Sequence, residues 1–122
     1  MTDPNFLLLY VTDTARSADF WAGLLGRPPI EQSETFAMLP LRDGVMLGLW
    51  KIDGVEPAAR QTGGGAEICF AVGSAAEVDA THADWAARGF VILQTPTEMD
   101  FGHTFTAADP DGHRLRVFCP AG

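Results

Sequence analysis

Three polar side chains in the second half of the sequence, Glu67, His103 and Arg116, are of types that could act on or bind a ligand. A histidine can transfer protons near neutral pH, and a carboxylate or a guanidinium can bind ions and polar groups. No carboxylate stands at a suitable spacing from His103, because Asp100 belongs to a loop. A hydrogen-bonding role therefore fits His103 better than a catalytic one. His113 belongs to a turn, and we expect it in solvent.

Arg116 belongs to a segment, residues 113–119, that reads as a β-strand. Successive side chains of a strand point to opposite faces of the sheet, so Leu115 and Val117 share the core face. Arg114, Arg116 and Phe118 then share the other face. A strand face with solvated arginines is the more ordinary interpretation of this pattern, and a ligand contact is the alternative.

The composition limits the class of protein. A chain of 122 residues that is 47% hydrophobic can form one domain with a core, and its net charge of -8 argues against nucleic-acid or anionic-membrane partners. Cys69 and Cys119 form no metal-ligand spacing, and no basic region precedes the first apolar run. No apolar segment reaches the ~18 residues of a membrane span. We therefore expect a soluble, cytoplasmic protein with reduced thiols.

The elements that must position these residues occur twice in the same order. In the first half, an apolar strand precedes a helix that presents Ala18, Trp21 and Leu25 on one face and stops at Gly26. In the second half, a strand precedes a helix that begins with the capping box of Ser74 and Glu77. The predicted strands are residues 6–11, 30–34, 35–41, 45–52, 66–72, 90–96, 103–108 and 113–119, and the predicted helices are 15–26 and 75–89.

This repetition predicts an internal duplication. Val11 and Val72, which close the leading strand of each half, are separated by half the chain length. The fold class is therefore α+β, with two βαβββ modules, about 5–51 and 65–119, in a single domain 1–122. A glycine-rich linker joins the modules, and we expect their curved mixed sheet to surround a cleft.

Strand parity predicts which side chains line that cleft, because the more aliphatic face should pack under the helix. Trp50, reached after Gly48, has room to lie flat, and it is the strongest candidate for stacking. For Phe36 and Met38 the parity leaves the choice between core and cleft open. Large rings with a few polar groups suit a flat aromatic molecule. The candidate ligand-binding residues are Phe6, Tyr10, Phe36, Met38, Trp50, Glu67, Phe101, His103 and Arg116.

The sequence resembles the vicinal oxygen chelate superfamily, which includes glyoxalase I, the extradiol dioxygenases and the bleomycin-resistance proteins. The resemblance lies in "YVTDTARSADFWAGLLG", "ICFAVGSAAEVDATHADWAARGF" and "DPDGHRLRVF", and it covers essentially the whole chain. Metal enzymes of this superfamily place His and Glu ligands on four strands. By the resemblance, those positions hold Phe6, Glu67, Arg116 and a residue near Gly48 or Trp50.

A metal site is improbable with these residues, because one carboxylate cannot supply three or four donors and a guanidinium repels a cation. The resemblance instead implies that Glu67 and Arg116 face each other as a partly buried pair. That pair could serve only to neutralise the cleft, or it could also contact a ligand.

Within the superfamily, the chain is similar to the antibiotic-binding resistance proteins, including those directed against phenazines. That similarity implies a metal-free homodimer, possibly with swapped modules, that sequesters a planar aromatic drug, with Trp50 stacking on it and no cofactor. Two alternatives stay open. One is a metal-dependent, glyoxalase-like lyase, isomerase or dioxygenase with ligands recruited across a dimer interface, and the other is a metal-free catalyst with His103 as its base.

Overall fold

The computed structural model describes residues 2–122, so that Met1, which falls in the predicted domain, lies outside the described residues. The chain divides into two units, one up to Gly63 and one from Gly64 onward. The first unit contains β1 (Phe6–Val11), α1 (Thr14–Leu25), β2 (Glu31–Gln32), β3 (Phe36–Pro40) and β4 (Met46–Lys51). The second contains β5 (Glu67–Ala71), α2 (Ala75–Ala87), β6 (Val91–Met99), β7 (Gly102–Ala108) and β8 (Arg114–Pro120).

Helix α1 is bounded by residues that satisfy its terminal backbone groups. The side chain of Asp13 accepts a hydrogen bond from the Arg16 amide at 3.2 Å, which caps the first turn. Gly26 ends the helix in the left-handed conformation, with φ of 72°, and its amide donates to the Ala22 carbonyl. The predicted stop at Gly26 is therefore confirmed.

The sheet of the first unit has the strand order β1-β4-β3-β2, with β1 and β4 parallel and the other pairs antiparallel. Helix α1 packs on β3 and β4 through Trp21. The side chains under it are fully buried and aliphatic, namely Ala37, Leu39, Leu47 and Leu49. The parity predicted Leu47 and Leu49 and left the strand of Ala37 and Leu39 open. The residues of the opposite parity lie on a face without a helix, the helix-free face of this unit.

The sheet of the second unit repeats this arrangement as β5-β8-β7-β6, with β5 and β8 parallel. The Ser74 hydroxyl accepts from the Glu77 amide at 3.1 Å, which is the predicted N-terminal cap of α2. Trp85 of α2 is buried and makes edge contacts with Phe70 and Phe105, each with ring centroids within 6 Å. The residues of opposite parity to Phe70 and Phe105 form the helix-free face of the second unit.

Two four-stranded mixed sheets with one helix each confirm the α+β class and the two βαβββ modules. Neither α-helix among residues 2–122 is long and apolar enough to cross a membrane.

Strand β6 differs from its prediction. The sequence pattern predicts a strand over residues 90–96, whereas β6 continues to Met99 and pairs with β7 on both sides of Pro96. Pro96 does not end the strand because β6 lies at the edge of the sheet, where a missing amide donor is tolerated. The register also shifts between Ile92 and Gln94 and between Gln94 and Thr97, which shows irregular pairing.

The tight turn between β7 and β8 is confirmed, and Asp109 organises it. One carboxylate oxygen of Asp109 accepts from the amides of Asp111 and His113, both at 2.9 Å. Gly112 adopts the left-handed conformation, with φ of 84°. The expectation of a solvated His113 is wrong, since this residue is only 8% exposed at the point where the turn closes onto β8.

Candidate functional site

The helix-free face of the first unit is mostly aromatic and apolar. Tyr10, Trp50 and Phe36 lie side by side across β1, β4 and β3 in one row of the register. Leu8, Gly48 and Met38 form the next row, and Phe6, Met46 and Pro40 the third. The register also decides a choice that the sequence left open, since it puts both Phe36 and Met38 on this face.

Gly48 gives this face its shape. A Cβ atom at this position would come within 2.6 Å of Phe6 Cε1, 2.9 Å of Leu8 Cδ1 and 3.1 Å of Phe36 Cζ. Two aromatic rings therefore lie over the backbone at the centre of the face, in space that any larger residue would occupy. Phe6 is 43% exposed, so apolar ring surface is accessible to another molecule.

Trp50 and Tyr10 meet edge to face on the same side, with ring centroids 6.4 Å apart and an interplanar angle of 77°. Such T-shaped contacts orient the rings without covering both faces of the indole. Trp50 is half-buried, whereas Trp21 and Trp85 are core residues.

On the second unit, the helix-free face carries an ion pair between Glu67 of β5 and Arg116 of β8. Arg116 Nε donates to Glu67 Oε1 at 2.7 Å, and Nη2 donates to Oε2 at 3.0 Å. The two side chains are 17% and 27% exposed for Arg116 and Glu67. The predicted partly buried, planar pair is therefore confirmed.

Each member of this pair stabilises the charge of the other. The hydrogen bonds from Arg116 lower the pKa of Glu67, and those to Glu67 raise the pKa of Arg116, with desolvation opposing both shifts. Both groups are ionised at neutral pH, and their charges cancel locally.

Three further polar residues that the sequence analysis missed join the pair: Gln94, Thr104 and Thr106. Arg116 Nη1 donates to Gln94 Oε1 at 3.1 Å and to Thr104 Oγ1 at 3.2 Å. The Thr106 hydroxyl donates to Gln94 Oε1 at 3.3 Å. Strand parity along β7 could have indicated the two threonines, but the irregular register of β6 conceals Gln94. These five residues, Glu67, Gln94, Thr104, Thr106 and Arg116, are the polar cluster of the second unit.

Phe101 lies against the polar cluster, from the two-residue turn between β6 and β7. Its ring centroid is 5.7 Å from Arg116 Cζ, within the range of a cation–π contact, and 6.0 Å from the ring centroid of Phe118. Phe101 is 45% exposed. The structure thus brings together Glu67, Phe101 and Arg116, three of the predicted site residues.

A family model described as the glyoxalase/bleomycin resistance protein/dioxygenase superfamily matches residues 4–117. The chain belongs to this superfamily. Its two modules, its helix-free sheet faces and the turn at Asp109–Gly112 are features of the part of the chain that matches.

The chain is also similar to individual proteins of known name or structure. The chain is similar to the phenazine antibiotic resistance protein EhpR of Enterobacter agglomerans, with 29% identity over 120 residues that cover 96% of this chain and 91% of that protein. It is similar to the solution structure of protein ATC0852 from Agrobacterium tumefaciens, with 52% identity, complete coverage of both chains and a TM-score of 0.91. A glyoxalase-related enzyme from Fulvimarina pelagi shares the fold at 21% identity, with a TM-score of 0.83 and coverage of 100% of this chain and 94% of that chain.

The positions that the superfamily resemblance assigns to metal ligands carry mostly other groups. Phe6 and Gly48 lie on the helix-free face of the first unit, where they offer no donor side chain. Glu67 on the second unit has both carboxylate oxygens bonded to Arg116. Within residues 2–122, no group of three or more His, Cys, Asp or Glu side chains is arranged to hold a metal ion.

His103 is the predicted site residue that the structure moves away from this cluster. His103 pairs with Cys119 of β8, and it is the neighbour of Thr104 in β7. Because neighbouring residues of a strand point to opposite faces, His103 lies on the helix-bearing face, the side of the sheet that α2 covers. Its Nε2 lies 2.7 Å from Asp79 Oδ1 of α2, and Nδ1 lies 2.7 Å from Glu98 Oε1 of β6, although that second contact is poorly directed for a hydrogen bond. The expectation that no carboxylate accompanies His103 is wrong, because Asp79 is distant in sequence.

The carboxylates determine the charge of His103. The hydrogen bond to Asp79 raises its pKa, burial opposes this, and Glu98 raises it further. The hydrogen bond between His103 and Asp79 connects α2 to the β6–β7 hairpin.

Cys69 lies on the helix-free face of the second unit, opposite Arg116 in the register. Burial and the neighbouring Glu67 carboxylate raise the pKa of the Cys69 thiol, and Arg116 partly offsets this. The thiol is protonated at neutral pH, which makes it a poor nucleophile.

Proposed function

We propose that this protein binds a planar aromatic small molecule of the phenazine type and confers resistance by sequestering it. The observation that carries the proposal is the helix-free face of the first unit, where the exposed ring of Phe6 and the half-buried ring of Phe36 lie over Gly48. The similarity to a phenazine antibiotic resistance protein supports the choice of ligand class.

Stacking on Trp50 is the proposed source of affinity. An indole presents a large rigid surface with little conformational entropy to lose, and offset stacking adds about 0.5–1.5 kcal/mol beyond the burial of apolar area. Phe36 and Tyr10 lie beside Trp50 in the register, which makes this row the widest aromatic strip of the face. Phe6 and Met38 complete the proposed contact surface.

We also propose that Arg116, Glu67 and Phe101 of the second unit contact a ligand. We do not propose His103 as a ligand contact, because it lies on the face that α2 covers, between Asp79 and Glu98. We do not propose it as a catalytic base either, since that position is on the opposite side of the sheet from the polar cluster. No observation favours a metal-dependent reaction either, since the donor groups are not clustered among the described residues.

The test is a titration of the purified protein with phenazine carboxylate, followed by tryptophan fluorescence and by calorimetry. We expect saturable quenching with a Kd tighter than ~1 mM, and a Kd about tenfold weaker for Trp50→Ala. The absence of saturable binding would overturn the proposed function.

Trp21→Phe is the matched control, because Trp21 is a core residue of the same unit, on the buried side of α1. This variant should lower the starting fluorescence and leave the Kd unchanged. If Trp21→Phe weakened binding as much as Trp50→Ala does, the stacking surface would not be the helix-free face.

We also propose that the protein is a homodimer and that it is located in the cytoplasm. The dimer follows from the resemblance to the drug-binding resistance proteins, and the location from the two free cysteines.

A further inference from the structure

Gln94 reaches the helix-free face of the second unit because β6 is irregular. Ile92 is paired with Ala107, on the helix-bearing side, while Gln94 is paired with Thr106, on the helix-free side. Leu93 is the extra residue between these two pairs, as in a β-bulge. Residues two positions apart in a regular strand share a face, so the bulge is what turns Gln94 towards Arg116.

The orientation of the Gln94 amide follows from its partners. Arg116 can only donate hydrogen bonds, so the group facing its Nη1 at 3.1 Å must be the amide oxygen. The Thr106 hydroxyl donates to the same oxygen at 3.3 Å. Two donors thus hold Oε1, and the amide nitrogen must point away from them.

The amide nitrogen of Gln94 has little to bind. Within residues 2–122, its partner in the structure is the thioether sulfur of Met99 at 3.4 Å, and a thioether is a weak acceptor. The side chain is half-buried. An oxygen or nitrogen acceptor of a ligand would therefore form a stronger hydrogen bond with this amide than the sulfur does.

The other charged groups nearby have less capacity left. Arg116 uses four of its five N–H groups in the contacts to Glu67, Gln94 and Thr104. Both oxygens of Glu67 accept from Arg116, and the two charges cancel. One N–H of Arg116 stays unused, whereas neither N–H of the neutral Gln94 amide has an oxygen or nitrogen acceptor among the described residues, so Gln94 has the most donor capacity left in the polar cluster.

Exposed apolar groups adjoin this donor. Met99 and Phe101, from the end of β6 and the turn after it, are 44% and 45% exposed. A flat apolar body next to one directed N–H donor suits an aromatic ligand that carries an acceptor atom on its rim.

We infer that Gln94 is a specificity-determining residue, whose amide nitrogen donates to a ring nitrogen or quinone carbonyl of a planar aromatic ligand. The inference rests on the proposed function and concerns a group on the second unit alone. Gln94 then distinguishes ligands that carry an acceptor atom on their rim from aromatic hydrocarbons of the same shape, which offer no acceptor to the amide nitrogen.

A matched pair of ligands and two variants test the inference. Anthraquinone sulfonate and anthracene sulfonate differ in the two ring carbonyls and share the same charged substituent. Wild-type protein should bind the quinone about tenfold more tightly than the hydrocarbon, the size expected for one hydrogen bond. Gln94→Glu keeps the oxygen acceptors for Arg116 and Thr106 and removes the N–H donor, and Gln94→Met removes the donor without adding a charge.

In both variants the preference for the quinone should disappear, so that each variant binds the quinone and the hydrocarbon with nearly equal Kd. Far-ultraviolet circular dichroism and the thermal midpoint verify that the variants are folded. Equal affinity of the wild type for the two ligands, or a preference that persists in Gln94→Met, would overturn the inference and leave the proposed function standing. Binding of neither ligand by the wild type would overturn both.

Discussion

Most of the hydrogen-bonding capacity of Arg116 is spent inside the protein. Four of its N–H groups hold Glu67, Gln94 and Thr104, and the ring of Phe101 lies near its guanidinium. A lysine could not replace it, since an ammonium group lacks the planar fork that meets both oxygens of a carboxylate. Arg116 therefore acts mainly by positioning the neighbouring polar groups of the cluster.

His103 should make stability depend on pH. Its pKa is raised in the folded protein, so its contribution is fully present below the ordinary value of 6.5 and is lost as the pH rises through the raised folded value. The destabilisation caused by His103→Gln should accordingly be larger at pH 5.5 than at pH 9. Thermal midpoints of both proteins across this range measure the difference.

Asp79→Asn is the control for that experiment, because Asp79 is the main cause of the shift. In the Asp79→Asn background the effect of His103→Gln should vary less with pH. A destabilisation by His103→Gln that stays constant from pH 5.5 to 9 would contradict the ion-pair interpretation.

At the scale of elements, the β6–β7 hairpin depends on a glycine. Gly102 has φ of 142°, and a Cβ atom there would collide with the backbone carbonyl oxygen of Cys119. Backbone atoms in a paired strand cannot move aside as a side chain can, so Gly102→Ala should destabilise the protein by about 3–5 kcal/mol. Denaturant unfolding monitored by circular dichroism measures this free energy of unfolding.

Gly23→Ala is the matched substitution in a different setting. Gly23 lies within α1, and a Cβ atom there meets nothing within 4 Å. Alanine should stabilise the helix by up to about 1 kcal/mol, because glycine has the greater backbone entropy when unfolded. A similar loss of stability in the two variants would show that the Gly102 backbone is not constrained as described.

The helices and most strands were predictable from local pattern. The stop of α1 at Gly26 and the cap of α2 at Ser74 depend on residues next to each other in sequence. The extent of β6 was not predictable, because Pro96 is read as a strand end unless the strand is known to lie at a sheet edge.

At the scale of the whole molecule, we expect a homodimer. Large apolar side chains are exposed on several strands, including Leu7 and Leu8 of β1 and Val91 of β6. Burying such surface between two chains is favourable by roughly 25 cal/mol per Å². Light scattering coupled to size exclusion should give twice the chain mass of 13.1 kDa at micromolar concentration. A mass of one chain throughout the concentration range would contradict the dimer.

By itself, the sequence determined the superfamily, the two repeated modules and the face on which most candidate side chains lie. The modules and the faces follow from patterns with periods of two and 3.6 residues, which depend only on backbone geometry, whereas the superfamily followed from the resemblance. It also indicated the pairing of Glu67 with Arg116, through a resemblance that covers the whole chain.

The tertiary structure alone decided the environment of the remaining side chains. It brought Asp79 to His103 and turned Gln94 towards Arg116. The first contact joins residues far apart in the chain, and the second depends on a bulge that breaks strand alternation. Neither is encoded in a local pattern, because both arise from the way in which elements pack.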